Sequence, residues 1–366
     1  GGLITSLQQS SQAEGFFFTF NSRGSPETTL QVRPGVPSAS TSSSAGTSLS
    51  LQTAGLQAQF TLSARDGLGN LRRTTHDEAY GYRYKVQVLE GNSPYLHPRH
   101  TDAGSGLHRF DYTVTSSGMH TIQSFVAVAG GLHATYYASD TLNNAVYVRE
   151  DPAIDFSGAE RDASLHDWPG SRSQPLETSA FSTRWHGFIR AQHDQTYTFT
   201  GKFDLLRADA PTIERIRMWI DNSLVIDQWS SLSWGYPTGT YAFARAEYLY
   251  DMRVEFKSPG TSASRPYVNL WWSTSFVSRV VNEEIVPRHR LYRAYHTTGS
   301  PFQVKVVANK ASPGQTVFTG NYGSGLYPKN ELLSMGVQLR DQFGNKRDVA
   351  AMYTGLHIEG FAVLFQ

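Results

Sequence analysis

Ile216-Arg217-Met218-Trp219-Ile220-Asp221-Asn222-Ser223-Leu224-Val225-Ile226-Asp227 decides the fold class. Two alternating runs flank Asp221-Asn222-Ser223, where Asn tolerates a positive φ, so the stretch is expected to form a β-hairpin. Around it, residues 184–190, 196–203, 215–220, 224–229, 248–256 and 267–273 have the strand pattern. Upstream, Gln57-Ala58-Gln59-Phe60-Thr61-Leu62-Ser63-Ala64-Arg65 places Ala58, Phe60, Leu62 and Ala64 on one face. That is the period of a half-buried strand. Residues 85–89, 109–115 and 120–128 supply further strands. About seven short strands at this spacing describe an immunoglobulin-like sandwich of about 100 residues.

Composition agrees. The chain has 366 residues and a mass of 40.6 kDa, enough for two or three domains at roughly 100–200 residues each. Charged residues make up 17% and aromatic residues 13%, the balance of an all-β protein. Lys+Arg 32 against Asp+Glu 31 gives a formal charge of +1. That argues against a nucleic-acid partner or attachment to acidic membranes, both of which want a basic excess. No apolar run reaches membrane-spanning length, so no membrane insertion is expected in this segment. Cysteine is absent, which excludes disulfides, thiolate metal sites and a Cys nucleophile. Gly1-Gly2 looks like an interior cut, and no Asn begins an Asn-x-Ser/Thr sequon.

An internal repeat divides the chain. Gly24-Ser25-Pro26 recurs as Gly299-Ser300-Pro301, and Asp66-Gly67-Leu68-Gly69-Asn70 recurs as Asp341-Gln342-Phe343-Gly344-Asn345. The offsets 299 − 24 and 341 − 66 both equal 275. An Arg follows two residues after each Asn, at Arg72 and Arg347. Gly130-Gly131-Leu132 echoes Gly1-Gly2-Leu3, so the expected division is 1–23, 24–130, 131–298 and 299–366. The first piece is expected to be the tail of a preceding module or a linker. The last is expected to be an incomplete sandwich, ending by register after a strand at 361–365. An incomplete sandwich leaves edges open, so a fragment of a longer array is expected, with strands donated by another chain as the alternative.

Segments 24–130 and 299–366 resemble filamin-type (ABP280) Ig repeats. The resemblance rests on Gly24-Ser25-Pro26, the strand into Asp66–Asn70, Tyr112-Thr113-Val114 and the stretch from Gly118 to Ile122. It implies a spacer or a partner-binding strand edge, with Asp66 and Asp341 as turn-formers rather than metal ligands. The Ser/Thr tract from Ser38 to Ser50 departs from the pattern and is expected to be a solvated loop, O-glycosylation being its sharper alternative.

Segment 131–298 holds all seven Trp: Trp168, Trp185, Trp219, Trp229, Trp234, Trp271 and Trp272. It resembles a PA14 domain, a β-sandwich of about 150 residues. Gly131-Leu132-His133-Ala134-Thr135-Tyr136-Tyr137 matches that family's opening strand, and Asp151-Pro152-Ala153-Ile154-Asp155-Phe156 its acidic turn. Arg184-Trp185-His186-Gly187, Ile216–Asn222, Val268-Asn269-Leu270-Trp271-Trp272 and Ile285-Val286-Pro287 follow in the family's order. PA14 adhesins hold calcium with two adjacent Asp, and sugar hydroxyls complete its shell. A hard cation wants such clustered oxygens. The corresponding loop here, Asp204 to Pro211, carries only Asp209 where those lectins have a pair. The resemblance implies Asp209, Asp221 and Asp227 as candidate calcium ligands. It likewise implies Asp209, Asn222, Trp229 and Trp234 as candidate glycan contacts. Calcium is the one cofactor it brings in.

No Gly-x-Ser-x-Gly elbow, His-Glu-x-x-His or phosphate-cradling loop occurs, so no enzyme is expected. His97 and His100 lack a nearby carboxylate in sequence, and the pairs Asp151/Asp155 and Glu283/Glu284 are expected on solvated faces. The expected fold is a PA14 β-sandwich between Ig-like sandwiches, the last one incomplete. The expected role is a structural and adhesive module of a large extracellular or cell-surface tandem protein. Its expected partners are neighbouring repeats or copies of itself, with glycans or surface glycoproteins besides. The alternative is a glycan-binding lectin with the Ig repeats as its stalk.

Overall fold

A computed structural model describes residues 3–9, 16–21, 28–72, 81–90, 95–156, 168–171, 174–176, 180–203, 214–230, 235–259, 266–274, 281–320 and 335–347. Strands dominate throughout, as the composition predicts. Strands β1 (Leu3–Gln9), β2 (Phe16–Asn21) and β3 (Thr28–Val32) form a three-stranded antiparallel sheet.

The first sandwich uses β4 (Ser43–Ala45), β5 (Leu51–Thr53), β6 (Gln57–Ser63), β7 (Tyr82–Leu89), β8 (Arg99–Asp102), β9 (Leu107–Thr113) and β10 (Gly118–Ala129). One layer has the order β4-β6-β9-β8. Ala58, Phe60, Leu62 and Ala64 all turn into the core, as their alternation requires, and meet Phe110, Val86, Val88 and Ile122. Tyr112 also lies inside, and its hydroxyl donates to the Ser48 carbonyl at 2.6 Å.

The PA14-like segment contains β11 (Leu132–Tyr137), β12 (Ala145–Asp151), the short pair β13 (Gly170–Ser171) and β14 (Gln174–Pro175), β15 (Phe181–Arg190), β16 (Thr196–Phe203), β17 (Arg215–Ile220), β18 (Ser223–Gln228), β19 (Thr238–Ala242), β20 (Leu249–Ser258), β21 (Val268–Ser273), β22 (Glu284–Ile285) and β23 (Leu291–His296). Two layers, one carrying β15, β17 and β20 and the other ordered β19-β16-β21-β22, enclose an aromatic core. Trp185 and Trp272 lie among its fully buried side chains. The opening hairpin turns on Asp221 (φ 46°) and Asn222 (φ 62°). Both are left-handed, as a two-residue turn whose twist matches the strands demands. Gly187 has a packing reason: a Cβ there would lie 2.3 Å from the Tyr292 carbonyl oxygen, so only glycine lets β23 approach β15.

The remaining strands are β24 (Phe302–Val307) and the hairpin β25 (Val317–Gly320) with β26 (Met335–Gln338). Here the chain departs from the division at 24 and 299. Strand β24 does not open a new sandwich; it closes the first one. It pairs antiparallel with β10, from Gly118↔Val306 to Ile122↔Phe302, and parallel with β5. Val304 and Val306 are buried with Phe60 and Val86. The layer order β5-β24-β10-β7 facing β4-β6-β9-β8 is that of an immunoglobulin-type sandwich. The PA14-like segment is therefore inserted between its last two strands.

The repeat itself holds at its turns. Asp66 accepts the backbone N–H groups of Gly35, Leu68 and Asn70 and the Asn70 side-chain amide. Asp341 accepts from Asn309, Phe343 and Asn345 in the same pattern. These bonds hold both carboxyls below their usual value against the opposing effect of burial. Both Asp are the turn-formers expected. The strand expected at 361–365 lies outside the described residues.

The Ser/Thr tract is not a solvated loop. It carries β4 and a short 3₁₀ turn, and Ser42 and Ser48 are buried. Hydroxyls this short bond nearby backbone: Ser42 donates to the Ser38 carbonyl, and Thr298 donates across to the Ser40 carbonyl at 2.7 Å. The tract thus packs on the connection between β23 and β24.

Candidate functional site

Strand β10 is twelve residues long and serves both sandwiches. On one edge it pairs with β24 over 118–122 and with β23 from Phe125↔His296 to Ala129↔Tyr292. Ile122 and Val126 enter the first core. Phe125 and Ala127 face the other way, into a small core with Phe188, Leu249 and Tyr292. A strand buried on both faces joins the two domains side by side.

Burial by the neighbour explains β7. Val86 and Val88 point into the first core, so Lys85 and Gln87 should meet solvent, yet they are 3% and 0% exposed. The Lys85 ammonium lies 3.0 Å from His97 Nδ1 and 3.8 Å above the Tyr248 ring. His97 Nε2 bonds the Asp221 carboxylate, which accepts the Asp251 N–H at 2.9 Å through its other oxygen. Since a carboxylate only accepts, Nε2 carries the proton and Nδ1 accepts from Lys85. Burial pushes Lys85 down to about 7, with Asp221 and Asp251 opposing the shift. Burial raises Asp251 to about 7, and the Asp221 charge adds to it.

These shifts have opposite consequences. From about 7 to 10.5 the unfolded chain holds a proton on Lys85 that the folded chain lacks, so this contribution to stability rises with pH. Asp251 holds an extra proton when folded, and its contribution fades as pH rises through about 7. In calorimetry between pH 7 and 9, stability is expected to climb by up to about 1.4 kcal/mol per pH unit. The Lys85→Met chain should lose that climb; an unchanged slope would refute the assignment.

A cleft of about 430 Å³ opens beside this cluster, between the two sandwiches. Tyr84, Tyr248 and Phe110 give it apolar faces, and Arg99, Asp102 and Glu247 give it polar edges. His108 stacks on Tyr84 with centroids 4.0 Å apart, and His100 stacks on Phe110 at 4.8 Å. His97 and His100 do not share a site. The first reaches Asp221, and the second lies 3.1 Å from His108 Nδ1. Among the described residues, no group of three or more His, Asp or Glu is placed to hold a metal.

The expected site residues part company. Asp209 and Trp234 lie outside the described residues. Asn222 forms the hairpin turn, and Asp221 is 2% exposed, committed to His97 and the Asp251 N–H. Asp227 is exposed on β18 opposite Arg217, on the outer face. Four residues of strand separate it from Ser223, roughly 13 Å. Trp229 is half-buried on that outer face, with the Arg217 guanidinium 4.2 Å from its ring. Lys85, Tyr248 and Asp251 were missed, and His97 was weighed only as a partner of His100. The one signal was an Asp in the middle of the run Leu249-Tyr250-Asp251-Met252.

Asp151 likewise is no solvated acid. It is 1% exposed and accepts from Tyr136 Oη, Trp185 Nε1 and Arg149 Nε.

Two β layers around an aromatic core, with a hairpin-bearing sheet and the Arg-Trp-x-Gly strand, define a β-sandwich domain. The PA14 domain family matches residues 129–285, and this part of the chain is a PA14 domain. Among curated proteins, the chain is similar to the anti-sigma-I factor RsgI3 of Acetivibrio thermocellus, at 29% identity over 162 residues. That match covers 44% of this chain and 21% of the relative, so the chain spans about a fifth of that protein. Among solved structures, an anti-sigma factor domain-containing protein from Clostridium clariflavum shares 29% identity at a TM-score of 0.34, covering 45% of this chain and 47% of that one. The epithelial adhesin 6 A domain from Candida glabrata, solved with Galb1-3GlcNAc, shares 14% identity at a TM-score of 0.32, covering 48% and 91%. No helix among the described residues is long and apolar enough to cross a membrane.

Proposed function

We propose that this chain is a non-catalytic adhesive module of an extracellular or cell-surface protein, in which filamin-type Ig repeats carry a laterally inserted PA14 domain. The observation behind the scaffold role is end-to-end docking. Asn345 donates to the Thr115 carbonyl and accepts from the Ser117 N–H, while Asn309 donates to the Ala54 carbonyl. Phe343 lies against Gly55, where any Cβ would fall 2.2 Å from its ring. The repeat motif of one copy is thus what grips the copy before it.

Carbohydrate binding is the second reading, and the cleft supports it. Its volume lies in the range of small-molecule sites. Aromatic faces with carboxylate and guanidinium edges suit a sugar's apolar face and hydroxyl rim. A panel of short neutral glycans titrated calorimetrically should yield a binder, and Tyr248→Ala should weaken it at least tenfold. The titration is repeated with calcium and with chelator, and equal affinity is expected, since Asp221 is already engaged. If no neutral glycan binds at millimolar concentration, the cleft is not a sugar site. Calcium-dependent binding unaffected by Tyr248→Ala would move the site to the loop carrying Asp209.

A further inference from the structure

The outer face of the PA14 sheet carries a second surface, independent of the cleft. Cross-strand register aligns Arg184, Glu255, Arg217 and Asp227 in one row across β15, β20, β17 and β18. Their neighbours Trp185, Val254, Met218 and Ile226 point into the core, so this row points outward. Glu255 is 2% exposed beneath Arg184 and Arg217, whose guanidiniums bond its two oxygens at 2.7 and 2.5 Å.

Cations and indoles alternate along this face. Lys257 Nζ lies 4.5 Å from the Trp229 ring centroid, and Arg217 lies 4.2 Å from it. Arg217 also lies 5.0 Å from Trp219, and Arg253 lies 4.0 Å from the same ring. Each neighbouring pair of cations shares one indole. Such stacking holds an arginine by its flat face and leaves N–H groups in its plane to meet an anion. Arg184 and Arg253 remain 38% and 41% exposed. Four cations, Arg184, Arg217, Arg253 and Lys257, stand against the carboxylates of Glu255 and Asp227, on a chain whose whole formal charge is +1.

We infer that this face binds an acidic polysaccharide. Its carboxylates would engage the spaced guanidinium and ammonium groups, and its sugar rings would lie against Trp219 and Trp229. Regularly spaced anions on a flat, semi-rigid chain fit a flat row of cations held in place before binding. A compact neutral sugar offers these cations nothing.

The full chain is titrated with a polyuronate, with a neutral polysaccharide of similar length and with duplex DNA. The polyuronate is expected to bind, with an affinity that falls as salt rises, and the neutral polymer is not. The double variant Arg253→Gln, Lys257→Gln keeps the two close Glu255 ion pairs, and an unchanged tryptophan melting curve checks its fold. It should lose at least tenfold in polyuronate affinity, whereas Tyr248→Ala should lose none. No polyuronate binding at low salt overturns the proposal, as does full binding by the folded double variant. So does loss through Tyr248→Ala, which would put the polymer in the cleft. DNA binding of equal strength with the same variant loss also overturns it, since attraction to any polyanion would then suffice.

Discussion

A chain ending at residue 298 is expected to lose the first sandwich while keeping the PA14 domain folded. Strand β24 lies between β5 and β10, so its removal opens the centre of a layer. Val304 and Val306, 1% and 2% exposed, leave the core with it, at about 1.5–3 kcal/mol each. Five paired positions on β10 and three on β5 are lost besides. Against a domain stability of about 5–15 kcal/mol, that is ruinous. The readouts separate cleanly, because all seven Trp belong to the PA14 segment. Tryptophan emission should remain native while amides of β6 and β9 exchange freely. Protection of those amides in the shortened chain would mean that β24 is dispensable. Supplying β24 as a separate peptide should restore protection.

Asp151→Ala is expected to be among the more damaging substitutions in the PA14 domain. The carboxylate accepts from Trp185 Nε1 at 2.7 Å and from the Tyr136 hydroxyl, both on residues 0% exposed. Arg149 Nε, at 2.6 Å, neutralises it. Alanine leaves the Tyr136 and Trp185 donors without their acceptor and takes one ion-pair partner from Arg149. Each unsatisfied buried group costs about 1–3 kcal/mol, while Arg149, 30% exposed, can turn to water. A loss of about 4 kcal/mol is expected, lowering Tm by about 10 °C for a domain of this size. Asp151→Asn keeps one acceptor and should lose less. A loss below 1 kcal/mol on alanine substitution would show that the donors find water instead.

Local rules account for what the sequence revealed. Period-two alternation placed Ala58, Phe60, Leu62 and Ala64 correctly because one face of β6 is buried and the other is not. The Asp221-Asn222 turn was legible because few residues tolerate its backbone. Long-range pairing was not legible. Gly-Ser-Pro followed by a strand reads equally well as the start of one sandwich or the end of another. Only the partner decides, and it lies on β10, 188 positions away at Gly118↔Val306. Lys85 defeated alternation for a related reason: its strand is covered on both faces, the second by a domain distant in sequence. Of the expected site residues, Asp221 does belong to a polar cluster, but one that joins two domains.

The inserted topology also fixes how tension would travel. Pulled at residues 34 and 308, the chain loads β5 and β24, which run parallel over Lys305↔Leu51 to Val307↔Thr53. Parallel strands drawn apart along their length are sheared, so their hydrogen bonds resist together instead of opening one by one. The PA14 domain leaves β10 at Ala129 and returns through β23, which pairs with that same stretch. Its two ends are therefore neighbours and carry no net extension. A pull along the first sandwich would therefore leave the PA14 domain slack, a side arm insulated from the load on the strands that bear it.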